Sequence, residues 1–103
     1  MATKKLGVKF DGEKARYDLL PPEALEQTVQ VLTYGAVKYA PNNWLHVPEW
    51  DERYFAAAQH HMWAWKRGES VDSETGISHL AHAICCLMFM LEREPELTKK
   101  VKK

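Results

Sequence analysis

The chain has 103 residues, 46% of them hydrophobic and 27% charged, a composition that fits one globular domain and excludes a disordered chain. It contains no apolar run near the roughly 20 residues of a membrane helix, and its first residues form no apolar signal-peptide core. We therefore expect a single cytoplasmic domain over 1–103 that does not contact membranes. Its core is expected at 10–92, with tails at 1–9 and 95–103.

The formal net charge is zero, but the charges are unevenly distributed. Six of the 14 basic residues are lysines near the two ends, so residues 6–98 have a clear acidic excess. An acidic body argues against a nucleic-acid groove and fits a site that collects cations. The terminal lysines are predicted to lie in solvated tails: Lys4, Lys5, Lys99, Lys100, Lys102 and Lys103.

Three segments have apolar residues at helical spacing and are separated by proline, glycine and asparagine. The first helix is predicted over 21–39, where two prolines open the segment. The second is predicted over 49–67, with Gly68 as its C-terminal cap. The third is predicted over 76–93 and is expected to end before Pro95, because proline interrupts helices.

The third predicted helix is apolar on most of its circumference, for example at Leu80, Ile84 and Leu87. Two partner helices from so short a chain cannot cover that surface. We therefore predict an all-α, compact three- to four-helix bundle that assembles into homodimers or homotetramers. Its N-terminal segment is expected to be short and irregular, with room for a strand only near 8–10. The alternative is a monomeric three-helix bundle.

Two pairs of side chains have the spacing of metal ligands on a helix. Glu23 and Glu26 share a face because they are three residues apart, and Mg²⁺ and Mn²⁺ prefer such oxygen ligands. Acidic residues in a first turn also serve the helix dipole alone. His79 and His82 have the same spacing in an apolar stretch, where an unpaired polar group costs about 1–3 kcal/mol. A metal, a carboxylate or backbone groups could pair them.

Other histidines and carboxylates extend this set. His61 is expected on the inward face of the second helix, which places three of the five histidines at core faces. Asp72 and Glu74 come just before the third helix, where they could cap it or hold a cation. This concentration of titratable groups is the strongest indication of a site that the residues alone provide.

Several residues are suited to a nucleotide. Lys14, Arg16 and Lys38 are isolated cations that could bind phosphate oxygens. Asn43 and Trp44 offer an amide and an aromatic ring that could contact a base. These assignments rest on residue type.

Four ordered blocks carry a resemblance to a known family: KARYDLLPPEALE at 14–26, LTYGAVKY at 32–39 followed by Asn43-Trp44, HMWAWKRGE at 61–69 and DSETGISHLAHA at 72–83. Over about residues 10–92 the chain resembles the phage and prophage dATP/dGTP diphosphohydrolase N-terminal family. The resemblance implies a compact helical protein related to the MazG-like all-α nucleotide pyrophosphohydrolases. Those enzymes cut a nucleoside triphosphate between the α and β phosphates, use Mg²⁺ or Mn²⁺ and act as dimers or tetramers.

The resemblance also implies roles for particular positions. Glu23 and Glu26 match the ExxE of the first helix in the wider MazG-like group. On the last helix that group has an acidic ExxD, where this chain has His79 and His82. His60 stands where the dATP/dGTP family more often has arginine.

Together, the residues and the resemblance favour a metal-dependent pyrophosphohydrolase that acts on dGTP or dATP with Mg²⁺ or Mn²⁺ in the cytoplasm of a phage host. The predicted metal ligands are Glu23, Glu26, Asp72, His79 and His82. The predicted catalytic residues are Glu26, Glu74 and His61, and the predicted substrate contacts are Lys14, Arg16, Lys38, Asn43 and Trp44. Two alternatives remain open, an HD-type triphosphohydrolase and a non-catalytic helical module that binds a nucleotide or a protein.

Overall fold

A computed structural model describes residues 6–101, and their side chains over 6–97. The chain forms three α-helices: α1 spans Pro22–Lys38, α2 spans Trp50–Lys66 and α3 spans His79–Val101. Single 3-10 turns precede α1 and α2, at Tyr17–Leu19 and Asn43–His46. Residues 6–101 include no β-strand, which confirms the all-α class and removes the strand considered near 8–10. No fourth α-helix occurs in this range. The predicted lysine tails lie outside the described side chains.

The ends of α1 and α2 follow from local residue chemistry. α1 begins at Pro22, where a missing N–H is harmless, and Glu23 in its first turn complements the helix dipole. α2 ends at Lys66, and Gly68 follows two residues later with a φ of 102°, a conformation that favours glycine. Its N–H donates to the Trp65 carbonyl at 3.0 Å, which satisfies a carbonyl of the last turn. The predicted cap at Gly68 is therefore confirmed.

The third helix differs from its prediction at both ends. It starts at His79 rather than 76, because the preceding residues complete a loop, and it continues through Pro95 to Val101. The predicted end before Pro95 is therefore wrong. Pro95 removes only the hydrogen bond to the Leu91 carbonyl, and Leu91 is 70% exposed, so the loss falls on the solvated side. An ion pair of 2.8 Å between Arg93 and Glu96 spans the proline.

α3 is the central element, because it packs against both α1 and α2. Among the residues whose side chains are described, the buried apolar core is made of small side chains, Ala58, Ala64, Ala81, Ala83, Cys85 and Cys86, and one large one, Trp50. The Cys85 thiol lies 3.4 Å from the Thr28 carbonyl, which marks the α1–α3 contact. Burial raises the pKa of the Cys85 thiol to about 12, so the thiol stays protonated at neutral pH. Cys85 therefore behaves as a small apolar side chain.

The other side of α3 carries an uncovered apolar stripe. Leu80, Ile84, Leu87 and Leu91 follow one another at intervals of four, three and four residues, and all are more than a third exposed. The chain alone therefore leaves much apolar surface in contact with water. None of the helices in the described range has the length and apolarity needed to cross a membrane.

Candidate active site

A cleft of about 670 Å³ lies between the C-terminal half of α1, the 43–46 turn, α2 and the loop that leads into α3. We call it the central cleft. Its volume is in the range of cavities that hold small organic ligands. Predicted site residues from five separate places in the sequence line it: Lys38, Asn43, Trp44, His61, Asp72, Glu74 and His82.

The loop between α2 and α3 is a tight turn that fixes one wall of the cleft. Gly76 has a φ of 71° and donates its N–H to the Asp72 carbonyl at 2.7 Å. Ser78 comes just before α3 and caps its first turn, because its hydroxyl accepts the N–H of Leu80 at 3.1 Å. This arrangement holds Asp72 beside His79, the first residue of α3. Two side chains that are seven residues apart in sequence thereby become neighbours.

Four histidine rings meet where α2 faces the start of α3. The Nδ1 atoms of His61 and His79 are 2.9 Å apart. His82 stacks on His61 with a centroid distance of 4.6 Å and an interplanar angle of 15°. His60 lies edge-on to His61 at 5.3 Å, on the exposed rim. The prediction that His61, His79 and His82 share the core face is therefore confirmed, and they form one cluster.

Asp72 completes a group that could hold a metal ion. Ligand atoms of His61, Asp72 and His79 all lie within 4.8 Å of one another. The Asp72 Oδ2 atom accepts the backbone N–H groups of Glu74 and Thr75, each at 3.1 Å, which fixes the carboxylate. Such outer hydrogen bonds orient metal ligands in proteins. Two imidazoles and one carboxylate are a donor set that leaves coordination positions open to water or substrate.

His82 is not a member of this group but is linked to it through Thr75. Its Nε2 atom is 2.7 Å from the Thr75 hydroxyl, which in turn lies 3.4 Å from Asp72 Oδ2. The residue is half-buried and lines the central cleft. His82 therefore contacts the carboxylate of Asp72 through a hydroxyl.

The protonation states of the cluster suit cation binding. Burial, aided by the charges of His82 and His79, lowers the pKa of His61 to about 4. Burial also lowers the pKa of His82. For Asp72, burial by itself would raise the pKa, but the backbone N–H groups that it accepts and the nearby His82 bring it below its ordinary value. At neutral pH, His61 and His82 are thus neutral and Asp72 is an anion, as metal ligation requires.

Glu74 binds two residues of α1 across the cleft. Its Oε2 atom accepts hydrogen bonds from the Tyr34 hydroxyl at 2.6 Å and from Lys38 Nζ at 2.7 Å. The bond from Lys38, followed by the one from Tyr34, lowers the pKa of Glu74. The hydrogen bond between Lys38 and Glu74 also raises the pKa of Lys38. Both contacts join the loop before α3 to the end of α1, so they also fix the width of the cleft.

The far wall of the cleft is held from α3. Trp44 stacks on Phe89 with a centroid distance of 4.7 Å and an interplanar angle of 11°. The Arg93 guanidinium donates to the Trp44 carbonyl at 2.9 Å and to the Val47 carbonyl at 3.0 Å, and it lies over the Trp50 ring at 5.1 Å. The 43–46 turn is therefore anchored by a nearly buried cation, although it has no regular secondary structure of its own beyond one 3-10 turn.

Five predicted site residues do not line the central cleft: Lys14, Arg16, Glu23, Glu26 and His79, of which His79 is buried behind it. The two glutamates are exposed on the first turns of α1, where Gln27 donates to Glu23 at 3.1 Å and Gln30 donates to Glu26 at 3.3 Å. Arg16 is paired with Asp18 at 2.8 Å. Within one chain, the structure thus groups the histidines with Asp72 and leaves the carboxylates of α1 apart from them.

Three residues of the site were not among the predicted ones. Tyr34 and His60 line the cleft, and Thr75 joins His82 to Asp72. Tyr34 lies four residues before Lys38, so the helical repeat could have placed the two on one face. His60 precedes His61 and is exposed, but its ring still contacts the cluster. No local pattern marks Thr75, because its role depends on a neighbour from α3.

Comparisons with known proteins agree with the resemblance in the four sequence blocks. The family described as dATP/dGTP diphosphohydrolase, N-terminal, matches residues 4–102. A dATP/dGTP diphosphohydrolase of Salmonella phage PMBT28 is 37% identical over 84 residues, which are 82% of this chain and 28% of that protein. The chain thus spans less than a third of that relative's length. No solved structure matches the chain. Because the family match extends over nearly all residues, the chain belongs to the dATP/dGTP diphosphohydrolase N-terminal family.

Proposed function

We propose that this chain hydrolyses a purine deoxynucleoside triphosphate, dGTP or dATP, between the α and β phosphates, giving the monophosphate and pyrophosphate. One observation carries the proposal: the central cleft joins a cation, an aromatic wall and a His-Asp group in a single cavity of about 670 Å³. A cation can bind the phosphates of a nucleoside triphosphate, an aromatic wall can contact its base, and the His-Asp group can take part in its hydrolysis. The name of the phage relative supports the same substrates.

In this proposal the nucleotide lies along the cleft. Asn43 and Trp44 contact the base at the far wall, where Phe89 and Arg93 hold the turn in place. Lys38 contacts phosphate oxygens, because a charge-assisted hydrogen bond to an anion is stronger than a neutral one. His60 also lines the cleft, on its rim beside His61.

The residues at the His-Asp end fit a divalent cation, since two imidazoles and a fixed carboxylate bring their donor atoms within 4.8 Å of one another. When bound, such an ion would neutralise phosphate charge and lower the pKa of a water molecule. Glu74 Oε2 is the proposed acceptor of the proton from that water. A phosphate that draws Lys38 away from Glu74 would leave this oxygen with the Tyr34 hydroxyl as its donor, and it would remove the larger of the two hydrogen bonds that lower the pKa of Glu74.

Glu23 and Glu26 remain proposed ligands of a second cation, the Mg²⁺ or Mn²⁺ that accompanies the triphosphate. Within one chain they lie on the first turns of α1, away from the cleft lining. They would therefore act from a neighbouring subunit. A homodimer or homotetramer is proposed on the apolar stripe of α3, whose spacing of four, three and four residues is that of a helix–helix seam.

Product analysis tests the proposal. The full chain would be incubated with each deoxynucleoside and nucleoside triphosphate in Mg²⁺ or Mn²⁺, and the products would be separated by anion-exchange chromatography. We expect dGMP or dAMP together with pyrophosphate. Hydrolysis of none of the triphosphates would overturn the proposal and leave a nucleotide- or protein-binding module.

The His-Asp cluster also favours a second candidate, an HD-type triphosphohydrolase, because such enzymes use histidines and aspartates on helices. That reaction would release tripolyphosphate and the nucleoside. The same chromatogram distinguishes the two, since pyrophosphate and tripolyphosphate elute separately.

A further inference from the structure

The donor atoms of the His-Asp group differ in kind from those that Mg²⁺ selects. His61 and His79 offer two nitrogens and Asp72 one oxygen. Imidazole nitrogen suits first-row transition metals, whereas Mg²⁺ takes oxygen ligands and retains much of its water. A magnesium site would require further carboxylates, and Glu23 and Glu26 do not line this cleft.

The group is also preorganised. The Nδ1 atoms of His61 and His79 already converge to 2.9 Å. Two nitrogens at that distance either share one proton or direct both lone pairs at a cation. Asp72 is fixed through Oδ2 by two backbone N–H groups, and among the described residues no bond is made to its Oδ1. That oxygen is thus available as the third ligand.

An outer layer supports these three ligands. His82 stacks on His61, and its Nε2 atom reaches Asp72 through the Thr75 hydroxyl. Groups of this kind typically change metal affinity by about 10–100-fold when they are removed. The metal reaches the ligands from the central cleft, which His61, Asp72 and His82 all line.

We propose that His61, Asp72 and His79 form a transition-metal site that prefers Mn²⁺, Co²⁺ or Zn²⁺ to Mg²⁺, with His82 and Thr75 as positioning residues. The site's part in hydrolysis rests on the proposed function, but its metal binding does not. Three protein ligands leave open positions, which is the arrangement of catalytic rather than structural metal sites.

Cobalt is the probe, because its visible absorption bands report on the ligand field without any substrate. The metal-free full chain would be titrated with Co²⁺ in the absence of nucleotide, followed by absorbance and by calorimetry. We expect one Co²⁺ per chain, displaced by Zn²⁺ but not by a large excess of Mg²⁺. The melting temperature should rise with bound metal, since a ligand of the folded state stabilises it.

Variants assign the ligands. Asp72→Asn retains acceptors for the backbone N–H groups and should fold, yet it should lose Co²⁺ binding, as should His79→Gln. His82→Ala should weaken binding by roughly tenfold or more. His46→Ala, at an exposed histidine of the 43–46 turn, is the matched control and should bind Co²⁺ normally.

The outcomes separate this inference from the proposed function. Co²⁺ binding that Asp72→Asn abolishes, in a chain that cleaves no triphosphate, would support the site and refute the function. No Co²⁺ binding, or binding that survives both Asp72→Asn and His79→Gln, would overturn the site. Mg²⁺-dependent hydrolysis that survives Asp72→Asn would overturn the site's part in hydrolysis, while the function would stand.

Discussion

Lys38 Nζ lies 2.7 Å from Glu74 Oε2, so two residues with different predicted roles are each other's partner. The sequence suggests Lys38 as a phosphate contact and Glu74 as a catalytic carboxylate. The two residues are 36 positions apart in sequence, yet in the structure they meet across the cleft, one from α1 and one from the loop before α3. Both side chains are substantially exposed, so the pair itself contributes little to stability. A triphosphate would compete with Glu74 for Lys38, which gives the pair a role in substrate entry.

Lys38→Met should raise the KM for the triphosphate by roughly tenfold, because it removes a charged hydrogen bond to phosphate, and should lower kcat less. Steady-state kinetics measures this effect. Arg67→Met is the matched control, since Arg67 also belongs to an exposed ion pair, with Glu69 at 3.6 Å, but does not line the cleft. Equal KM values for the Lys38 variant and the unaltered chain would remove Lys38 from the substrate site.

The apolar stripe of α3 predicts self-association. Light scattering at micromolar concentration should give a mass of two or four times 11.9 kDa. The double substitution Ile84→Glu with Leu87→Glu should shift the mass towards the single chain, because it places charges in the seam. Val37→Glu is the control, since Val37 is 83% exposed on α1 away from α3's stripe. A mass near 11.9 kDa for the unaltered chain would contradict the prediction.

A site shared between subunits predicts complementation. Glu26 precedes Lys38 by 12 residues on α1, which is about 18 Å along a helix and longer than a triphosphate. At a triphosphate concentration well below KM, Lys38→Ala and Glu26→Gln proteins should each lose most of their activity, and they should regain part of it when mixed under conditions that exchange subunits. Activity that stays low, with mixed oligomers shown by differently tagged chains, would mean that each site is built from one chain.

Arg93 holds the far wall of the cleft from α3, so its substitution is expected to lower the stability of the chain. Its side chain is only 11% exposed, and its guanidinium bonds two carbonyls of the segment that carries Trp44. Arg93→Lys keeps the charge but loses the planar fork, so we expect a loss of about 1–3 kcal/mol in the free energy of unfolding. Urea denaturation followed by tryptophan fluorescence measures it. Arg53→Lys, at an exposed position of α2, should change the midpoint little, and equal midpoints for both variants would contradict the anchoring role.

The helices could largely be predicted from the sequence. Proline at the start of α1 and glycine after α2 act on the backbone next to them, so their effects do not depend on the rest of the chain. The end of α3 could not be predicted in this way, because the cost of Pro95 depends on which side of the helix is solvated. The apolar excess of α3 was also evident from its composition, and it is confirmed as exposed surface.

The sequence by itself determined which side chains are available for chemistry: histidines on two inward helix faces, carboxylates before α3 and on α1, and a few isolated cations. Only the tertiary structure decided which of them meet. His61 contacts His79 across 18 positions and Tyr34 contacts Glu74 across 40, whereas Glu23 and Glu26, on the same helix as Lys38, lie outside the cleft. The reason is physical: helical periodicity relates residues three or four apart, while the packing of α3 against α1 and α2 determines which faces come together.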